Sequence, residues 1–424
     1  MSREVEALEQ AKRFLKEEVA PKAQLIDRDI DALHAVVARM GELNMLGLKR
    51  PEKYGGPAMS EPLFRIYQEE TARTSGTLAF LTTQHQSAVA MIAGGENETL
   101  KDLYLPKMST GEKLVGIGFS QLRRSGPPIM CAEPVEGGYI LNGHVPWVTG
   151  WTFFPEFLIG ATLPDGCALF AVVPLVDTVQ SSDSARLGSI TSQAQLDRPS
   201  PSAPSPITNQ LEQDGPSPPA PSPITNQLQQ DGPTPPAPSP ITNQMGEGRV
   251  KVSPPMELAA MGTAMTVTVD FTNFFVSNEK VAFIKPAGWI QNSDMINIAL
   301  QGHFAIGCAM AGIDVVRSNA EKKPFPFLND ALEALEKELA GLKMATANAQ
   351  KSADDSTTPE RLKVRAWAID FAVRCAHAAI TSSSGAANSI HHPAQRIYRE
   401  ALVYTVSAQT PAVMEATLQR LNAR

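Results

Sequence analysis

Cysteine is scarce in this 424-residue chain: Cys131, Cys167, Cys308 and Cys375 stand far apart, with no C-x-x-C step. That spacing argues against a zinc site or a disulfide framework and leaves isolated buried thiols as the expectation. Basic charge is not in excess either, since 37 Lys and Arg face 44 Asp and Glu for a formal net charge of -7, and the basic residues are scattered. Without a basic footprint, nucleic acid is not expected as a partner. No apolar run reaches the length of a membrane span, and the opening "MSREVEALEQAKRFLKEEV" is a charged helical pattern rather than an apolar leader. A cytoplasmic protein without a membrane partner is expected. With 43% hydrophobic and 19% charged residues, the chain can bury a large core and suits two or three domains.

What is present changes character twice along the chain. From Glu4 to about Leu114 the period is helical: Val5, Leu8, Leu15 and Val19 share a stripe that ends at Pro21, which lacks the N–H the ladder needs. A second helix is expected through Ile30, Leu33, Val37 and Met40, and the Gly-punctuated run 65–94 reads as two buried helices. Between about Val115 and Val173 the signal becomes short β-branched and aromatic runs: "LVGIGFS", "GYILNG", "PWVTGW", "EFLIGATL" and "CALFAVVPL". Turn residues separate them, which predicts antiparallel strands, and "MTVTVDFTNFFVS" (265–277) completes one β domain. After Lys280 the helical period returns. Leu328, Leu332, Leu335, Leu339 and Leu342 alternate steps of four and three, a seam for bundle packing with Asn329 or Asp330 as N-cap.

A repeat interrupts the β domain. "SPITNQLEQDGPSPPAP" (205–221) recurs as "SPITNQLQQDGPTPPAP" (222–238), begins again at 239, and follows a degenerate copy at 188–204. With one Ile and one Leu or Met among prolines, the unit has too little apolar surface to stack as a solenoid. Residues 183–248 are expected to be a disordered insert of polyproline II character, either an inert duplication or a ligand for a proline-reading domain.

Five segments carry a family resemblance. "LNMLGLKRPEKYGG" (43–56), "LKDLYLPKMSTGEKL" (100–114), "GYILNGHVPWVTG" (138–150), "MELAAMGTAMTVTVDFTNFFVSNEKV" (256–281) and "RIYREALVYTV" (396–406), in this order, resemble stretches of the acyl-CoA dehydrogenases and their flavoprotein relatives. The resemblance implies an α+β fold: an N-terminal helical domain (1–114), a central antiparallel β domain (115–280) and a C-terminal four-helix bundle (281–424). It also implies FAD between the β domain and the bundle, with FMN or reduced flavin as alternatives, and a homodimer or homotetramer built on the bundle. Trp147 and Thr149 match the family's Trp-x-Ser/Thr pair at the flavin, and Ser120 stands where the family has the Thr of a Thr-Glu-Pro step, with Gln121 replacing the acid. Read alone, Trp147 is a strand residue facing the core and Thr149 a turn residue.

Toward the adenine half of FAD the family has an R-x-x-F and a Q-x-x-G-G segment, the latter from a neighbouring subunit. Here Lys322 and Lys323 precede Phe325, so charge survives without the guanidinium fork. Thr381 replaces the Gln, and Ser384-Gly385 the Gly pair. Hydroxyls and main-chain N–H groups there suit a pyrophosphate. "RRSGPP" (123–128) is similar to a shortened form of the family's CoA loop, in which Arg123 and Arg124 are either phosphate contacts or an exposed loop pair.

The family's reaction, dehydrogenation of an acyl thioester with hydride transfer to flavin, needs a carboxylate base. Aligned on its usual Glu-Gly-Thr, this chain has Ala408 at the Glu and Gln409 at the Gly, and the alternative locus is Asn297. Asp294, one turn away, is either a substitute base or a helix-start residue. Glu415 is placed to point elsewhere, His391 and His392 lie in a loop, and His303 is either cleft-facing or a hydrogen-bonded core residue. The resemblance therefore implies an FAD-dependent oxidoreductase acting on an acyl thioester, with the base unidentified. Its alternatives are a flavin-dependent monooxygenase on the same fold, which needs no such base, and a non-catalytic flavin-binding relative.

Overall fold

The computed structural model describes residues 2–175, 248–351 and 357–423, so the proline-rich repeats lie outside the described residues. The N-terminal helices are α1 (Arg3–Phe14), α2 (Ile30–Glu42), α3 (Glu61–Thr74), α4 (Gly76–Ala93) and α5 (Glu98–Met108). Their ends are set by local chemistry. The Asp29 carboxylate accepts from the Asp31 and Ala32 amides to open α2, Ser75 Oγ accepts from Leu78 N to open α4, and Asn97 Oδ1 accepts from Leu100 N to open α5. Pro21 lies in a 3-10 turn, Ala20–Lys22, that follows α1 through a π-turn.

Eight strands follow among the described residues: β1 (Val115–Gly118), β2 (Met130–Val135), β3 (Gly138–Thr149), β4 (Glu156–Thr162), β5 (Ala168–Pro174), β6 (Arg249–Val252), β7 (Thr266–Ser277) and β8 (Val281–Lys285). They form one sheet in the order β6-β7-β3-β2-β4-β5-β8, with β1 on β4. The sheet is mixed rather than wholly antiparallel, because β1 runs parallel to β4 and β2 touches β4 in parallel at Cys131 and Thr162. Hairpin signals reveal only strands joined by a turn, and β1 enters directly from the helices. The sheet also extends to Lys285, past the expected boundary at 280.

One irregularity in β3 decides where the site lies. Val145 pairs with Val269 and Val148 with Val267, so Pro146 and Trp147 together face the single residue between. Proline cannot donate into a ladder, which makes this bulge its natural place. Val145 and Val148 stay in the core while Trp147 is left 53% exposed.

The C-terminal helices are α6 (Trp289–Asn297), α7 (His303–Lys322), α8 (Pro326–Lys351), α9 (Thr358–Ser383), α10 (Pro393–Val406) and α11 (Pro411–Asn422). Helices α7 to α10 form the expected bundle, and α11 adds a further helix against α9. Close approach depends on glycine: a Cβ on Gly307 would stand 2.3 Å from Glu69 O, and one on Gly312 2.6 Å from Cys375 O. Helix α8 begins at Pro326, so Asn329 and Asp330 lie inside it, as its fourth and fifth residues, instead of capping it. Contrary to the sequence expectation, 299–322 is long and apolar enough to cross a membrane by length and composition, but most of it is buried in the bundle.

Candidate active site

The sheet side of the candidate site is built on the ends of β1, β3 and β7. After β1 the chain turns through Ser120–Arg123, and Ser120 Oγ is buried with no hydrogen-bond partner among the described residues. Gln121 is structural: its amide nitrogen donates to Gly160 O at 2.7 Å. Gly118 ties this turn to the bulge, since a Cβ there would lie 3.3 Å from the side chains of both Val145 and Val148. Thr149, at the end of β3, is buried, and its hydroxyl meets that of Thr266 at 3.0 Å. Thr266 escaped the sequence reading because it faces Thr149 only through the β3–β7 register. Trp147 does not face the core, so the structure removes that reading.

On the helical side, Ala408 is exposed at φ 50°, in the left-handed region, directly after α10. It carries no acid, and the Asn297 amide donates back to Ser293 O at 2.8 Å within its own helix. Asp294 lies inside α6, whose N-cap is Gly288, so the helix-start reading is corrected. Both its oxygens are engaged, by Arg123 Nε at 2.6 Å and Arg123 Nη2 at 2.9 Å. Arg123 is thus half of a bidentate fork, stacked over Phe119, while Arg124 remains exposed.

Other candidates fall into structural roles. His303 is a core histidine: it meets Glu69 at 2.6 Å and Gln350 at 3.0 Å, and Lys343 reaches the same Glu69 at 2.7 Å. Burial lowers its pKa and Glu69 opposes the shift. His392 Nδ1 accepts from Ala394 N to cap α10, and His391 contacts Arg28. Glu415 lies on α11 and bonds Gln419. The "RIYRE" stretch anchors α10: Arg396 pairs with Glu400 at 2.6 Å, and Glu400 also accepts from Gly76 N at 3.0 Å. Glu400 is fully buried, which raises its pKa against the pull of Arg396.

The two segments expected from resemblance at the adenine half are joined within one chain. Lys323 donates to Ser382 O, and the Asn319 amide donates to Ser382 Oγ and Ser383 Oγ at 3.0 Å each. Lys322 and Phe325 are exposed, and Phe325 stacks on Phe327 with ring centroids 5.4 Å apart. Thr381 donates back to His377 O. Ser384 holds φ 56°, ψ -149°, a conformation made for glycine that costs a serine about 1–3 kcal/mol, while a Cβ on Gly385 would meet nothing within 4 Å. Of the two residues, Ser384 alone holds a left-handed φ.

The donor set fits a flavin. A buried hydroxyl without a partner, a buried hydroxyl pair and an exposed indole on a proline bulge suit a polar-edged, flat, apolar ring. No cluster of three or more His, Cys, Asp or Glu placed to hold a metal occurs among the described residues.

Residues 2–112 match the family described as acyl-CoA dehydrogenase, N-terminal domain. The mitochondrial isovaleryl-CoA dehydrogenase of Pongo abelii is 32% identical over 143 residues, 32% of this chain and 34% of that protein. The matched stretch therefore spans about a third of the length of such curated relatives. Across the fold, a glutaryl-coenzyme A dehydrogenase in complex with glutaryl-CoA superposes with TM-score 0.69 at 17% identity, covering 100% of this chain and 96% of the other. The FAD complex of PigA superposes with TM-score 0.68 at 14% identity, covering 100% and 98%. Residues 2–112 thus match the acyl-CoA dehydrogenase N-terminal domain, and the chain as a whole shares the fold of the solved acyl-CoA dehydrogenases.

Proposed function

We propose that this protein is an FAD-dependent oxidoreductase acting on the CH–CH bond of an acyl-CoA thioester. The observation that carries the reading is the buried Ser120 hydroxyl with no partner, on a turn packed against the Trp147 bulge. A folded chain tolerates an unmet buried hydroxyl at a cost of about 1–3 kcal/mol, and a ligand edge relieves it. Relatives named as isovaleryl-CoA and glutaryl-CoA dehydrogenases support the substrate class. FAD, when bound, supplies two-electron redox chemistry that no side chain has. Ser120 and Thr149 would hold its polar edge and Trp147 would cover the ring, while Lys322, Phe325, Thr381, Ser384 and Gly385 would serve the adenine half.

A homo-oligomer belongs to the same proposal. Tyr398, Leu402 and Val406 on α10, and Met414, Leu418 and Leu421 on α11, are exposed at helical spacing, two apolar stripes suited to a second copy. Neither Ala408 nor Asn297 supplies a base, and Asp294 is held by Arg123. That observation favours, as a second reading, a monooxygenase on the same fold, which needs no base at 408. Flavin content of Trp147→Ala and Thr149→Val tests the placement shared by both readings: a fall in content supports it, and unchanged content in both variants would remove it.

A further inference from the structure

Arg365 on α9 is 2% exposed, yet no carboxylate answers its charge among the described residues. Its partners are two main-chain carbonyls, Gln301 O and, at 3.0 Å, Ser407 O, and its Nε has none. Burial alone pulls its pKa down to about 10. Two other arginines of the C-terminal helices are treated differently: Arg396 has Glu400, and Arg374 has Glu338 and Asp370. A buried guanidinium left with carbonyls is expensive, so its place needs a reason.

The two carbonyls supply one. Gln301 belongs to the 3-10 turn Ala299–Gly302, which joins α6, the helix of Asn297 and Asp294, to α7. Ser407 is the C-cap of α10 and precedes Ala408. These are the two places where the resemblance locates an acid, far apart in sequence and both fastened to one side chain. The second is under strain, with Ala408 at φ 50° between Ser407 and Thr410, the N-cap of α11. Planar guanidinium geometry can hold two carbonyls in fixed relation, which a single-point ammonium cannot.

We propose that Arg365 is a positioning residue that couples the 299–302 turn to the 407–410 turn, so that order in one enforces order in the other. That these turns flank the reacting group rests on the function proposed above; the coupling itself does not. Disorder introduced at either turn should therefore reach the other through this one side chain.

Amide hydrogen exchange on the full chain, as purified and after flavin removal, tests the coupling in Arg365→Met and Arg365→Lys. In Arg365→Met, exchange should rise about tenfold at both turns together, the scale of losing a charge-assisted hydrogen bond, while the middle of α7 stays protected. Arg365→Lys, whose ammonium cannot hold both carbonyls in fixed relation, should raise exchange at both turns by a smaller factor than methionine does, and that paired rise over the unaltered protein carries the test alone if the methionine variant does not fold. Exchange rising at one turn only, across the whole bundle, or at neither overturns the coupling. A protein that never binds flavin would remove the functional reading while the exchange data still decide this one.

Discussion

Replacing Ser120 by alanine should act with opposite sign on the empty and the flavin-loaded protein. In the empty protein the Ser120 hydroxyl is buried without a partner, so its removal deletes a desolvation cost and leaves no orphan behind. Taking the low end of about 1–3 kcal/mol for an unmet buried hydroxyl, Ser120→Ala should stabilise flavin-free protein by about 1 kcal/mol, or about 2 °C in Tm. On the proposed placement the same hydroxyl would bond the flavin in the loaded protein, and its loss should weaken flavin binding about tenfold. Thermal unfolding of stripped protein and a flavin fluorescence titration read the two effects. Gln121→Leu is the control, because it breaks the bond to Gly160 O and should destabilise both forms. A Ser120→Ala variant that lowers the Tm of stripped protein, or leaves flavin affinity untouched, refutes the reasoning.

Three further outcomes follow from particular contacts. Gly76→Ala should destabilise by about 1–3 kcal/mol, since its Cβ would stand 2.6 Å from Glu400 Cδ, a fully buried group held by Arg396; an unchanged urea midpoint would contradict that packing. Stability should fall between pH 7 and pH 5.5. His85 and His303 are buried, burial lowers both pKa values below 6.5, and so the unfolded chain takes up protons that the folded chain refuses. Their contribution is full above the unfolded pKa and lost as pH drops below it, so a midpoint that stays level or rises on acidification would be contrary. Thr149→Val leaves the Thr266 hydroxyl unpaired and should cost about 1 kcal/mol in stripped protein along with a loss of flavin, checked by unfolding and by flavin content.

Much of the architecture was legible from periodicity. The stripe through Ile30, Leu33, Val37 and Met40 became α2, and the strand runs became β1, β3, β4, β5 and β7, because burial of one face leaves a period in the sequence. What the pattern could not carry was pairing between distant strands: nothing local in "LVGIGFS" says that β1 lies parallel to β4. The same holds for side chains. Ser120 and Thr149 were reached through resemblance, yet their roles depend on what each meets, and Thr266 enters only through strand register. Arg123 and Asp294, 171 residues apart, read from sequence as a phosphate contact or exposed loop residue and as a substitute base or helix start, until the fold made them a fork. Arg365 left no signal at all, since its partners are carbonyls, which every residue has.

The central claim is that this chain binds FAD and uses it on an acyl-CoA thioester. The most direct test is the visible absorbance of the purified full-length protein, followed by anaerobic titration with a panel of acyl-CoA thioesters. The account predicts a bound oxidised flavin whose absorbance bleaches with at least one thioester. Bound flavin that no thioester bleaches would contradict the dehydrogenase reading in favour of the monooxygenase, and a protein that takes up no flavin in either redox state would contradict the account as a whole.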